Sequence, residues 1–97
     1  MKPSDILNIH RKAIRRIIKN HHVCNVRVFG SVIRGEDTVN SDLDLLVDPT
    51  LKTTLMDIAA IRCELRELLK VPVDVLTPKA LPVSFRNQIL LEARPLY

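Results

Sequence analysis

The chain is poor in aromatic residues: Phe29, Phe85 and Tyr97 are the only three in 97 residues, and there is no tryptophan. Base-stacking platforms are hard to build from so few rings, so direct nucleic-acid binding is not expected. Cysteine is scarce as well. Cys24 and Cys63 stand apart, without metal-ligand spacing and among apolar neighbours, which predicts reduced, buried thiols. No apolar run approaches the ~18 residues of a membrane span, and the start lacks the basic-then-apolar layout of a signal peptide. A cytoplasmic protein is expected. Length is the last shortage. A chain of 97 residues is expected to form one domain, 1–97, with no room for a separate acceptor-binding domain. An enzyme of this size needs another molecule to help present its substrate.

Hydrophobic residues make up 46% and charged residues 27%, which excludes general disorder. The net charge of +4 conceals a segregation. Residues 1–22 carry Lys2, Arg11, Lys12, Arg15, Arg16 and Lys19 against Asp5, a balance of +5. Residues 23–50 carry Arg27 and Arg34 against Glu36, Asp37, Asp42, Asp44 and Asp48, a balance of −3. The basic segment suits a solvated helix face, or a contact surface for an acidic partner. The acidic centre is more unusual, because its carboxylates sit within an apolar run.

Pro3-Ser4-Asp5 opens a helix in which Ser4 is the expected cap. Ile6, Leu7, Ile14, Ile17 and Ile18 then recur at helical spacing. His10, His21 and His22 lie in or just after this helix without acidic companions in sequence, so they are expected at the surface rather than on a metal. Val23–Phe29 alternates as a strand, with Cys24, Val26 and Val28 on one side. After Gly30 comes a loop to Asp42, with a short helical turn expected over Ser31–Arg34. Leu43–Val47 is a second strand, stopped by Asp48-Pro49. Thr54 and Asp57 form a capping box for a helix striped by Ile58, Ile61, Leu65, Leu68 and Leu69. Val71–Leu76 is a third strand, and Pro72 keeps it from being a long central one. A last helix runs from about Pro82 to Ala93, with Phe85, Ile89 and Ala93 on one side, and stops before Pro95. The expected fold is α/β: a small mixed sheet of about three to four strands flanked by helices.

Chemistry concentrates in Gly30-Ser31-Val32-Ile33-Arg34-Gly35 and in Ser41-Asp42-Leu43-Asp44. Strand side chains two apart point the same way, about 6.6–7 Å apart, so Asp42 and Asp44 share a face. Such carboxylates repel each other or share cations, and hard oxygen ligands suit Mg²⁺. A two-ion site, with ions ~3.5–4 Å apart, needs a further carboxylate. Asp48 lies roughly 13 Å along the strand from Asp44 and is too far. Asp74, mid-strand between Val73 and Val75, is the better candidate if its strand pairs beside Leu43–Val47. Gly30 lets backbone approach a triphosphate, while the Ser31 hydroxyl and nearby amides donate to its oxygens. Arg34 can add a bidentate grip. A hydroxyl attacking the α-phosphate in line then gives nucleotidyl transfer.

This segment resembles the signature of the polymerase-beta-type nucleotidyltransferase superfamily, and more closely that of the minimal nucleotidyltransferases: Gly-Ser, ten residues, then Asp-x-Asp. The resemblance extends over essentially the whole chain. It implies a nucleotidyltransferase fold in which Gly30 and Ser31 bind the triphosphate, with Arg34 and Ser41 as further nucleotide contacts. It also implies that Asp42, Asp44 and Asp74 are the catalytic carboxylates, holding two Mg²⁺ ions. Ile33 departs from the small alanine often found before the Arg-Gly pair, which tightens the turn and removes no ligand. Standalone members commonly serve as antitoxins to a HEPN-domain ribonuclease. The resemblance therefore implies transfer of AMP from ATP to a tyrosine of such a toxin. Two alternatives stand beside it: an antitoxin that neutralises by binding alone, and a transferase acting on a small molecule such as an aminoglycoside.

Overall fold

The computed structural model describes residues 1–96; Tyr97, one of the three aromatics, lies outside the described residues. In chain order the elements are α1 (Pro3–Ile9), α2 (Arg11–Lys19), β1 (Val23–Phe29), α3 (Ser31–Arg34), β2 (Leu43–Pro49), α4 (Leu55–Leu69), β3 (Val73–Leu76), a 3₁₀ turn (Pro78–Ala80), α5 (Val83–Glu92) and β4 (Arg94–Pro95). The strands form one sheet in the order β3-β2-β1-β4. β1 is antiparallel to β2 and β4, whereas β2 and β3 are parallel and joined by the α4 crossover.

Parity along the strands divides the sheet into two faces. Val28, Leu43, Leu45, Val47, Val73 and Val75 pack beneath Leu7, Ile14 and Ile18 of α1 and α2 and beneath Ile61, Leu65 and Leu69 of α4. Phe29 and Leu46 turn the other way, onto Leu81 and Ala93. The alternate residues of β2 and β3 that avoid the main core, Asp44 and Asp74 among them, therefore emerge on this second, thinly covered face.

Several expectations change. The first helix breaks at His10 into two. Ser4 does not cap it, because the N-cap is Lys2; instead the Ser4 backbone N–H donates to the buried Asp37 carboxylate (2.9 Å), tying α1 to the loop after α3. β1 carries a register shift between Cys24 and Arg27, with Asn25 at φ 52°, which breaks the strict alternation. Cys24 is thereby turned out, and Cys63 lies on the exposed side of α4, so neither thiol is buried. β2 continues through Asp48 to Pro49, because Asp48 pairs with Cys24 across the ladder. β3 starts only at Val73; Pro72 precedes it, on an edge strand, and its carbonyl accepts the Leu43 N–H (2.9 Å). Phe85 is 55% exposed, since α5 seats itself through Ile89 and the adjacent Ala93 rather than through its first turn. The residues after α5 form the short strand β4 on the free edge of β1. His21 and His22 do have acidic companions: His21 meets Glu64 and Asp57, and His22 meets Asp57, because α4 packs against the end of α2. The capping box stands: the Thr54 hydroxyl accepts the Asp57 N–H (3.3 Å) and Asp57 accepts the Thr54 N–H (2.8 Å).

Candidate active site

Asp44 is the centre of the site. In β2 it is the register partner of Phe29 on β1 and of Asp74 on β3. Parallel neighbours lie ≈ 4.7–4.9 Å apart across a sheet, so in-register carboxylates on one face are held side by side by the backbone itself. Burial, then the negative charges of Asp74 and Asp42, raise the Asp44 pKa to about 6, with Arg34 pulling the other way. Asp74 also has a cation near it. The Arg66 guanidinium lies 3.8 Å from its Oδ1 and donates through Nε to the Val73 carbonyl (3.1 Å).

Gly30 completes one wall. Its backbone sits at φ 77°, ψ −152°, a region essentially confined to glycine. A Cβ there would overlap Oδ2 of Asp44 and lie 3.2 Å from its Cγ. The Gly-Ser turn is thus pressed against the central carboxylate. From Gly30 the chain enters the single-turn helix α3, which closes on Gly35 in the left-handed conformation, φ 71°. Ser31 stands at the start of α3, directly after the glycine that abuts Asp44.

Arg34 is held at the rim by two carboxylates. Its Nη1 donates to Glu92 (2.9 Å) and its Nε to Glu36 (3.3 Å), and both contacts raise its pKa. Ser41 is placed differently. Its hydroxyl accepts the Thr38 N–H (2.8 Å), closing a turn that delivers the chain to Asp42. Asp48, set aside on distance, is indeed occupied elsewhere, with Arg27 at 2.5 Å and Asn25 at 3.0 Å.

Two residues escaped sequence reasoning. Glu92 accepts both the Gly30 N–H (3.0 Å) and Arg34 Nη1. Arg66 stands beside Asp74. Neither sits in a local pattern that marks it. Glu92 is 62 residues from Gly30, and only the return of α5 to the end of β1 brings them together.

Among the described residues no group of three His, Cys, Asp or Glu side chains is placed to hold a metal ion by itself. Mg²⁺ does not need one, because it binds through one or two carboxylates, substrate phosphates and waters. Clustered hard oxygens, with one carboxyl destabilised by its like-charged neighbours, fit that demand. The glycine-serine turn is thus pressed against one carboxylate of an in-register pair, which sets a candidate phosphate-binding turn beside a candidate cation-binding pair.

The polymerase beta nucleotidyltransferase model matches residues 12–97, and the chain belongs to this family. A Methanocaldococcus jannaschii protein provisionally named a protein adenylyltransferase is 37% identical over 92% of this chain and 95% of its own length. The protein adenylyltransferase MntA of Thermococcus cleftensis is 32% identical over 90% of this chain and 85% of its own. Among solved structures, one described provisionally as a minimal nucleotidyltransferase superposes with a TM-score of 0.84 at 42% identity, covering 96% of this chain and 95% of that one. A toxin–antitoxin crystal structure with AMP-PNP shares the fold at 18% identity, with a TM-score of 0.75 over 90% of this chain and 72% of that one.

Proposed function

We propose that this protein is a Mg²⁺-dependent protein adenylyltransferase acting as an antitoxin in the cytoplasm: it transfers AMP from ATP to a tyrosine of a partner HEPN-domain ribonuclease and so neutralises it. One observation carries the reading. Asp44, in register with Asp74, is pressed against Gly30 of the Gly30-Ser31 turn, which supports a cation-binding pair and a phosphate-binding turn at one end of the sheet. The names of the relatives support a protein acceptor, and the toxin–antitoxin structures of the same fold support a toxin partner. Among the described residues no helix is long and apolar enough to cross a membrane.

Asp42, Asp44 and Asp74 would hold the metal. Bound there, Mg²⁺ supplies neutralisation of phosphate charge and acidification of the acceptor hydroxyl. The Ser31 hydroxyl and the amides opening α3 donate to the triphosphate, and Arg34 adds a cation at the rim. The Arg66 guanidinium, 3.8 Å from Asp74 Oδ1, gives that carboxylate a cationic neighbour. Ser41 serves the loop, fixing the approach of Asp42. In the transfer the tyrosine oxygen bonds to the α-phosphorus, the bond to pyrophosphate breaks, and the hydroxyl proton leaves to solvent. The chain as a whole acts as one minimal transferase domain, and the partner presents its own hydroxyl. The exposed row Lys12, Arg15, Arg16 and Lys19 on α2 offers that partner an acidic-complementary surface.

The test is incubation with labelled ATP, Mg²⁺ and the product of the neighbouring gene as the candidate toxin. Label is expected on that product and is expected to vanish with the double substitution Asp42→Ala and Asp44→Ala. A tight complex without label would replace this reading with neutralisation by binding.

A further inference from the structure

Glu92 is the unassigned residue closest to the chemistry. It ends α5, a helix that contributes no buried residue and rests on the sheet through Ile89 and the adjacent Ala93. Yet its carboxylate is only 16% exposed, and both oxygens are used: Oε2 accepts the Gly30 N–H at 3.0 Å and Oε1 accepts Arg34 Nη1 at 2.9 Å. Burial disfavours its charged form, but the Gly30 amide and Arg34 outweigh this and lower its pKa.

The two groups it joins differ in what they need. Gly30 holds a backbone conformation that almost only glycine adopts, and its orientation sets the direction in which the Ser31 amide and hydroxyl leave the turn. Arg34 is a long, half-exposed side chain whose guanidinium would otherwise sample many rotamers. Glu36, the other carboxylate on Arg34, is itself 65% exposed and a weak anchor. Glu92 is therefore the less exposed and better fixed of the two anchors.

We infer that Glu92 is a positioning residue of the nucleotide site: its single carboxylate locks the Gly30 amide and the Arg34 guanidinium together, so that Ser31 and Arg34 meet a triphosphate from fixed directions. This rests on the nucleotidyl-transfer reading above. It also divides labour within the turn. The Gly30 N–H is committed to Glu92, while among the described residues no hydrogen bond engages the Ser31 hydroxyl or the Ser31 and Val32 amides, which are the donors left for phosphate oxygens. Donors held in place lose less freedom on binding.

Glu92→Gln separates the two halves. Glutamine still offers one carbonyl oxygen to Gly30, but its NH₂ then faces Arg34 donor to donor, and Arg34 turns toward Glu36 and solvent. Glu92→Asp keeps the charge but, one methylene shorter, cannot span both groups. Binding of Mg²⁺-ATP to the full chain by calorimetry is expected to weaken roughly tenfold in Glu92→Gln. Arg34→Gln should weaken it similarly, and the double variant should be no worse than either single, because both remove one contact. Glu92→Asp should also weaken binding, and amide exchange at Gly30 should accelerate. Melting temperature and circular dichroism, read alongside, identify any variant that fails to fold, in which case the aspartate variant and the exchange rate of Gly30 decide. Unchanged or tighter ATP binding in Glu92→Gln, or losses that add in the double variant, would overturn the assignment: Glu92 would then merely seat α5 or compete with phosphate. Wild-type protein that does not bind Mg²⁺-ATP at all would instead defeat the nucleotide reading of the whole site.

Discussion

Replacing Asp74 with asparagine removes one of the two negative charges that crowd Asp44 from neighbouring positions. The Asp44 carboxyl titrates at about 6 against an ordinary 3.8, through burial first and the charge of Asp74 second. Each pKa unit corresponds to ~1.4 kcal/mol, so the whole perturbation is worth about 3 kcal/mol at most. The sign follows from linkage. Because the folded pKa lies above the unfolded one, the native state binds the extra proton, and stability falls as pH rises from about 4 through 6. Above that the full penalty is present. Asp74 accounts for part of it, so Asp74→Asn should stabilise the fold by roughly 1 kcal/mol at pH 7.5 in EDTA, shrinking toward zero by pH 4. Urea titrations of both proteins from pH 4 to 8 measure this directly. Adding Mg²⁺ should reverse the order, because wild type gains more from the cation than a variant with one carboxylate fewer. Adenylyl transfer should be sharply reduced in the same variant. If Asp74→Asn is less stable than wild type throughout the pH range in EDTA, the two carboxylates do not repel each other as their register requires. If transfer is unchanged, Asp74 is not the third ligand.

Gly30→Ala should cost about 1–3 kcal/mol for the backbone alone, with a further loss as Asp44 is pushed aside, and should abolish transfer. Urea unfolding and the labelled-ATP assay check both, and a stable, active alanine variant would contradict the close approach. Thr54→Ala should lower stability by about 1 kcal/mol through loss of the α4 cap while leaving ATP binding intact. Both Cys24 and Cys63 should react with a thiol reagent in the native state, within the time taken by denatured protein to about an order of magnitude, since both are exposed. A native protein whose thiols stay silent until unfolding would restore the buried assignment.

Local chemistry made most of the elements legible. The alternation of Val23–Phe29 and Leu43–Val47, the Thr54–Asp57 box and the stripe Ile61, Leu65, Leu69 each express a short-range rule, and each appears as an element. The departures arise where a distant partner intervenes. The bulge at Asn25 turned Cys24 outward, Asp37 took the Ser4 amide in place of a cap, and α4 supplied carboxylates to His21 and His22.

The same division runs through the site. For the proposed site the sequence alone determined the candidates: Gly30, Ser31, Asp42 and Asp44 stand out by residue type and spacing, because strand parity and glycine's freedom are local properties. It also singled out Asp74, since a charge between two buried valines needs a partner. Only the tertiary structure set Asp74 in register beside Asp44 with Arg66 as its nearby cation, because parallel pairing and its register depend on how α4 spans from β2 to β3. Only the tertiary structure brought Glu92 across 62 residues to Gly30 and Arg34. A carboxylate at the end of a helix has no local signature of what it will hold; the path of the chain back to the sheet assigns it.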